Sequence, residues 1–111
     1  MRRSQRLDLF NARGIVQTRR IWITGASQGI GLACAKHFAA EGAQLALCAR
    51  RLEALEQASR ELEALGAAKI AITPTDVSER DALARYAARS QEALGGCDVL
   101  IHNAGGGGPG G

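Results

Sequence analysis

The eight residues "TGASQGIG", Thr24 to Gly31, place glycines at Gly25, Gly29 and Gly31 in the spacing G-x3-G-x-G. What flanks them decides how they are read. Before them, "RIWIT" (Arg20–Thr24) is a short apolar run of the kind that forms a buried strand. After them, Ile30, Ala33, Cys34 and Phe38 recur at helical spacing until Gly42 closes the pattern. Three glycines alone are weak grounds, since turns recruit glycine for their own geometry. Between a strand and a helix they acquire a specific use. Glycine permits the sharp turn and lets backbone approach a pyrophosphate, whose charge meets the N–H groups at the helix start. The loop therefore points to a dinucleotide.

The remaining chain repeats that alternation. "QLALCA" (Gln44–Ala49) reads as a second strand. Leu52, Leu55, Ala58, Leu62 and Leu65 form one apolar stripe, with Glu53, Glu56, Arg60 and Glu63 mostly off it, and Gly66 as the stop. "KIAIT" (Lys69–Thr73) is a third strand, ended by Pro74. Ser78 followed by Asp81 resembles a capping box opening a third helix, which runs to Gly95-Gly96. "DVLIH" (Asp98–His102) is a fourth strand. Apolar strands separated by helices, with short connections, predict an α/β fold with a parallel sheet and right-handed crossovers.

At 111 residues, with 46% apolar and 23% charged side chains, the chain has room for one domain with a modest core. No apolar run approaches the ~18 residues needed to span a bilayer. The net charge of +3 is unevenly distributed, because residues 1–20 hold six arginines against Asp8 alone. The remainder is slightly acidic, so its charge supplies no reason to expect nucleic-acid binding. The leader, residues 1–18, is read as a basic N-terminal extension. Organellar targeting is one use for such an Arg-rich stretch; a solvated leader or a start codon placed too early are the others. Cys34, Cys48 and Cys97 are odd in number and lack metal-ligand spacing, so they are read as free thiols in a reducing compartment, the cytoplasm. No metal site is expected.

With the loop, "DVS" after strand three and "NAG" after strand four in order, the chain resembles the short-chain dehydrogenase/reductase family, in its classical branch. That family carries TGxxxGxG where this sequence has Thr24, Gly25, Gly29 and Gly31. The resemblance covers residues 19–111 and implies a Rossmann-type three-layer α/β/α fold. The sheet would be partial, with four strands in the order 3-2-1-4 and three helices. It implies that Gly25, Ser27, Gln28, Gly29, Ile30 and Gly31 line the pyrophosphate and adenosine ribose. Asp76 would face the adenine amino group with Val77 beside the ring, and Asn103, Ala104 and Gly105 would lie by the cofactor ribose.

The choice of dinucleotide is read from "CARR", Cys48 to Arg51. NAD sites usually place a carboxylate about 20 residues past the loop, to hold the ribose 2′-hydroxyl. Here no carboxylate is present, and a guanidinium offers forked donors suited to a 2′-phosphate. NADP is expected over NAD, with Arg50 the first choice of ligand and Arg51 the second. Gln28 stands where NADP-preferring relatives often have a basic residue. His37 is read as a surface histidine, His102 as structural beside the sheet, and Trp22 as packing.

Family catalysis uses a Tyr-x-x-x-Lys pair, an upstream Ser and an Asn on the helix after strand four. Tyr86 is the only tyrosine, precedes strand four and is followed by Ala-Ala-Arg-Ser. No catalytic residue is therefore assigned. The chain resembles the N-terminal half of such an NADP-dependent oxidoreductase, a cofactor-binding fragment inactive alone. The alternatives are a non-catalytic dinucleotide-binding or chain-pairing module and a non-functional remnant. Full-length relatives are expected to be homo-oligomers, and this chain to self-associate through the open edge of strand four. The closing "HNAGGGGPGG" is read as a working loop cut off in mid-course rather than a linker.

Overall fold

A computed structural model describes residues 19–76 and 78–103. Its elements are β1 (Arg20–Thr24), α1 (Gly29–Ala40), β2 (Gln44–Ala49), α2 (Leu52–Leu65), β3 (Lys69–Pro74), α3 (Ala82–Leu94) and β4 (Val99–Ile101). All strands run parallel, in the order β3-β2-β1-β4. The alternation and the strand order match the expectation. The readings of the basic leader, Val77, Ala104, Gly105 and the terminal glycine tract lie outside the described residues.

The strand register turns alternating residues into two faces. Val99, Ile21, Leu45 and Ile70 lie in one row across the sheet, and Ile101, Ile23, Leu47 and Ile72 in another. These rows pack against Ala35 and Ala39 of α1 and Leu55 and Leu62 of α2. Burying each large aliphatic side chain there contributes about 1.5–3 kcal/mol relative to exposure. The opposite face carries Trp22, Ala46, Cys48 and Ala71, and α3 covers it with Tyr86 and Leu94. Alanines at 46 and 71 leave room for the tyrosine ring. Trp22 packs edge-on against Tyr86 with ring centroids 5.9 Å apart, and its indole N–H donates to the Gly96 carbonyl at 2.9 Å. Three layers result.

The α2 stripe is buried at Leu55, Ala58 and Leu62, while Leu52 and Leu65, the first and last residues of the helix, are 46% and 44% exposed. One local expectation needs correction: Ser78 and Asp81 form no capping box. Helix α3 begins at Ala82, and the N-cap Asp81 makes no side-chain cap bond among the described residues. Ser78 is drawn instead to Asp76, donating to its Oδ1 from both the backbone N–H (3.0 Å) and the hydroxyl (2.6 Å). An acidic acceptor two residues upstream competes successfully for the serine, as short polar side chains commonly do in turns.

Among the described residues β4 pairs only with β1, and its Leu100 is 58% exposed. No described helix is long and apolar enough to cross a membrane. The amino ends of β1 and β4 are fastened by Arg20 and Asp98. The guanidinium donates from Nε (3.1 Å) to Oδ2 and from Nη2 (3.0 Å) to Oδ1, and Arg20 N–H adds a bond to Oδ2 at 2.8 Å. The Arg20 side chain and backbone hold the Asp98 carboxyl below the usual carboxylate range. A folded-state value below the unfolded one stabilises the fold above the unfolded value, near pH ~4, and that stability is lost as pH falls through the lowered value. Asp98→Asn should therefore destabilise the chain at pH 7 and lose that effect towards pH ~2. Urea unfolding at the two pH values checks this; an equal effect at both would refute it.

Candidate functional site

The carboxyl ends of all four strands share one edge, so the loop after each strand arrives at the same place. Helix α1 leads from β1 to β2 on one side, while β4 lies on the other side of β1. The loop after β1 thus occupies the point where strand order reverses, the usual ligand crevice of open α/β sheets.

Gly25 and Gly29 adopt φ of +62° and +61°, the left-handed region that favours glycine. A Cβ at Gly29 would meet nothing within 4 Å, so backbone conformation alone calls for glycine there. Gly31 is different. A Cβ on it would overlap the Gly25 carbonyl oxygen and lie 2.9 Å from the Gly25 carbonyl carbon and 3.0 Å from Asn103 Nδ2. The missing side chain lets α1 begin directly against the loop. Leu32 N–H donates to the Gln28 carbonyl at 3.3 Å, opening the helical ladder, and the N–H groups of Ile30 and Gly31 precede it. The first turn carries no acidic side chain. Such a helix start suits an anion. Ser27 is half-buried, Gln28 exposed, and Ile30 73% exposed at the mouth of the loop.

The loop is anchored from beneath. Thr24, 2% exposed, accepts a hydrogen bond on its hydroxyl from Asn103 N–H at 2.9 Å and lies 3.2 Å from the Asn103 carbonyl. The same hydroxyl is 3.2 Å from His102 Nδ1. Asn103 Nδ2 donates to the Gly25 carbonyl at 3.2 Å. Asn103 therefore ties the end of β4 to the glycine loop. His102 stands in the same clip, in keeping with its structural reading. Ala26 N–H donates to the Cys48 carbonyl at 3.1 Å and fixes the loop to β2. Burial pushes the Cys48 thiol up to about 11, against the easing effect of hydrogen bonds from Gly25 and Thr75. It is a packed thiol.

Beyond β2, Arg50 and Arg51 are exposed, and Arg51 is the N-cap residue of α2. Cations at the positive end of a helix are unfavourably placed, so helix formation does not account for the pair. Asp76 follows β3. Its carboxyl is held below the usual range by the Ser78 hydroxyl first and the Ser78 N–H next, with a smaller pull from Arg50. The ends of β2 and β3 thus bring Arg50 and Asp76 into electrostatic reach. Tyr86 is not at this edge: it is 2% exposed, donates to the Ala46 carbonyl at 2.7 Å, and burial raises its phenol well above the ordinary value. His37 is exposed on α1, as expected.

Sequence reasoning did not find the Thr24–Asn103 clip or the Ser78–Asp76 bonds. The partners of the clip are 79 residues apart, and nothing local to either marks the contact. For Ser78 the Asp-x-Ser spacing was a usable signal.

The residues present fit a dinucleotide's pyrophosphate: a backbone cradle that a Cβ at Gly31 would fill, before a helix start without acidic side chains. Known proteins resemble the chain in the same region. The family model for the short chain dehydrogenase matches residues 19–111. Glucose 1-dehydrogenase of Gluconobacter oxydans is 42% identical over 87 residues, covering 78% of this chain and 33% of that protein. Dehydrogenase/reductase SDR family member 7B of Bos taurus is 39% identical over 104 residues, covering 89% and 32%. The chain thus spans about a third of the length of these curated relatives. L-Sorbose reductase of Gluconobacter frateurii, solved with NADPH and L-sorbose, superposes with a TM-score of 0.76 at 37% identity, over 82% of this chain and 35% of the other. A metagenomic short-chain oxidoreductase solved with NADP has a TM-score of 0.72 at 40% identity, over 78% and 39%. With its glycine loop seated at the strand-order reversal of a 3-2-1-4 sheet, and with this match over residues 19–111, the chain belongs to the short-chain dehydrogenase/reductase family.

Proposed function

We propose that this chain holds NADP(H) and forms the cofactor-binding part of an oxidoreductase that moves hydride between nicotinamide and a carbonyl or alcohol. The observation that carries this reading is the pairing of a glycine-built helix start with Arg50 and Arg51 at the end of the neighbouring strand, where no carboxylate stands. Similar proteins solved with NADPH or NADP support it.

Backbone of Gly25, Ser27, Gln28, Gly29, Ile30 and Gly31 would receive the pyrophosphate and adenosine ribose. Arg50 would pair with the 2′-phosphate, backed by Arg51. Asp76 would accept from the adenine amino group with Val77 beside the ring, and Asn103, Ala104 and Gly105 would border the cofactor ribose. When bound, the cofactor supplies or takes up the hydride. The chain's own part is to bind and orient. It carries no Tyr-x-x-x-Lys pair, so it is proposed to bind without turnover. Residues 19–111 act here as the dinucleotide-binding unit and 1–18 as an extension.

Calorimetric titration of the chain with NADPH and NADH tests the reading. NADPH should bind tighter by about tenfold or more, and Arg50→Glu should weaken NADPH by about 10–100-fold while changing NADH little. Equal affinities would remove the 2′-phosphate assignment. No saturable binding of either would remove the whole reading.

A further inference from the structure

Ser78 lies outside every role assigned so far, yet it makes two bonds to one oxygen of a proposed ligand residue. Its hydroxyl donates to Asp76 Oδ1 at 2.6 Å and its N–H donates to the same oxygen at 3.0 Å. Oδ2 takes neither bond. Two donors converging on one carboxylate oxygen fix the plane of the group as well as its position. They also hold Asp76 in its ionised, acceptor-only form, in line with the lowered carboxyl. An acceptor fixed in plane, whose second oxygen takes neither of these bonds, suits a ligand that presents an N–H donor.

Resting on the dinucleotide reading above, we propose that Ser78 is the positioning residue that makes this site selective for a 6-amino purine, by holding Asp76 with Oδ2 presented to the exocyclic amino group. A purine with a 6-keto oxygen would set an acceptor against the carboxylate, and the fixed plane prevents Asp76 from turning away. Without the hydroxyl, one backbone bond remains and the carboxylate can rotate about it. Selectivity should then fall more than affinity.

The test compares NADPH with its hypoxanthine analogue, deamino-NADPH, by calorimetry on the full chain. The parent should prefer NADPH by about tenfold, the worth of a hydrogen bond to a charged acceptor. Ser78→Ala should reduce the preference to about twofold, and Ser78→Thr, which keeps the hydroxyl, should restore it. Ser78 is exposed, so the melting temperature of Ser78→Ala should stay within about 3 °C of the parent. Independently of ligand, NMR titration of the Asp76 carboxyl should show its pKa rising in Ser78→Ala. NADPH binding with an unchanged preference in Ser78→Ala overturns the positioning role and leaves the dinucleotide reading intact. A parent that binds both ligands equally also overturns it. A parent that binds neither overturns both readings.

Discussion

Gly31→Ala is expected to destabilise the chain by about 3 kcal/mol, at the upper end for overpacking, and to abolish measurable NADPH binding. The added methyl would overlap the Gly25 carbonyl and crowd the Asn103 amide, and neither can withdraw easily. Gly25 is held at φ +62° and by Asn103 Nδ2, which donates to that same carbonyl. Relief therefore requires α1 to lift away from β1 and take the N–H groups at its start with it. Gly29→Ala is the internal control. No atom would meet its Cβ within 4 Å, so its cost is that of a left-handed alanine, about 1–2 kcal/mol. Urea unfolding of both variants, with NADPH titration, measures the contrast. Equal losses would mean that close approach to the Gly25 carbonyl is not what requires glycine at 31, a helical position outside the left-handed region.

The second large effect is expected at Tyr86. Tyr86→Ala should cost about 4 kcal/mol, a sizeable share of the ~5–15 kcal/mol available to an ordinary domain. The ring is the largest of the buried side chains between α3 and the sheet, and its hydroxyl is bonded to the Ala46 carbonyl. Alanines 46 and 71 cannot close the cavity. Tyr86→Phe keeps the ring and removes the bond, so it should cost about 1 kcal/mol. Trp22 lies edge-on to Tyr86 and is the only tryptophan, so its fluorescence reports the same unfolding transition. An alanine variant no less stable than the phenylalanine one would show that α3 is not held through this ring. The result also bears on catalysis, since a buried phenol with a raised pKa, away from the loop edge, is not an acid–base group.

Local pattern made much of this molecule legible. "RIWIT" and "QLALCA" read as strands because a strand buried on both faces must be apolar throughout, and α2 read as a helix because its buried residues recur at helical spacing. The start of α3 was misread. The capping-box pattern from Ser78 to Asp81 and the Asp-x-Ser turn pattern from Asp76 to Ser78 compete in the same stretch, and the structure takes the turn. Periodicity showed which side of α2 is apolar but not how far along it burial extends, and Leu52 and Leu65 at its ends are exposed.

The candidate site divides in the same way. Gly25, Gly29 and Gly31 could be singled out from spacing, because a loop between strand and helix constrains neighbours in the chain. Arg50 and Arg51 could be singled out because they follow the end of the second strand where a carboxylate is absent, whereas Asp76 stood out only through the resemblance to the family's motif after strand three. What sequence by itself determined is the order of elements, the parallel sheet and the loop at its first crossover, all properties of local periodicity and short connections. Only the tertiary structure decided that Asn103 reaches back to Gly25 and Thr24, that Gly31 is glycine because a carbonyl from across the loop fills its side-chain space, and that Ser78 is spent on Asp76. The Asn103 contacts join residues 78 and 79 apart and depend on how strands register, while the Gly31 and Ser78 contacts lie within a few residues of chain, where spacing offers the partners and only the fold of the loop and turn brings them together.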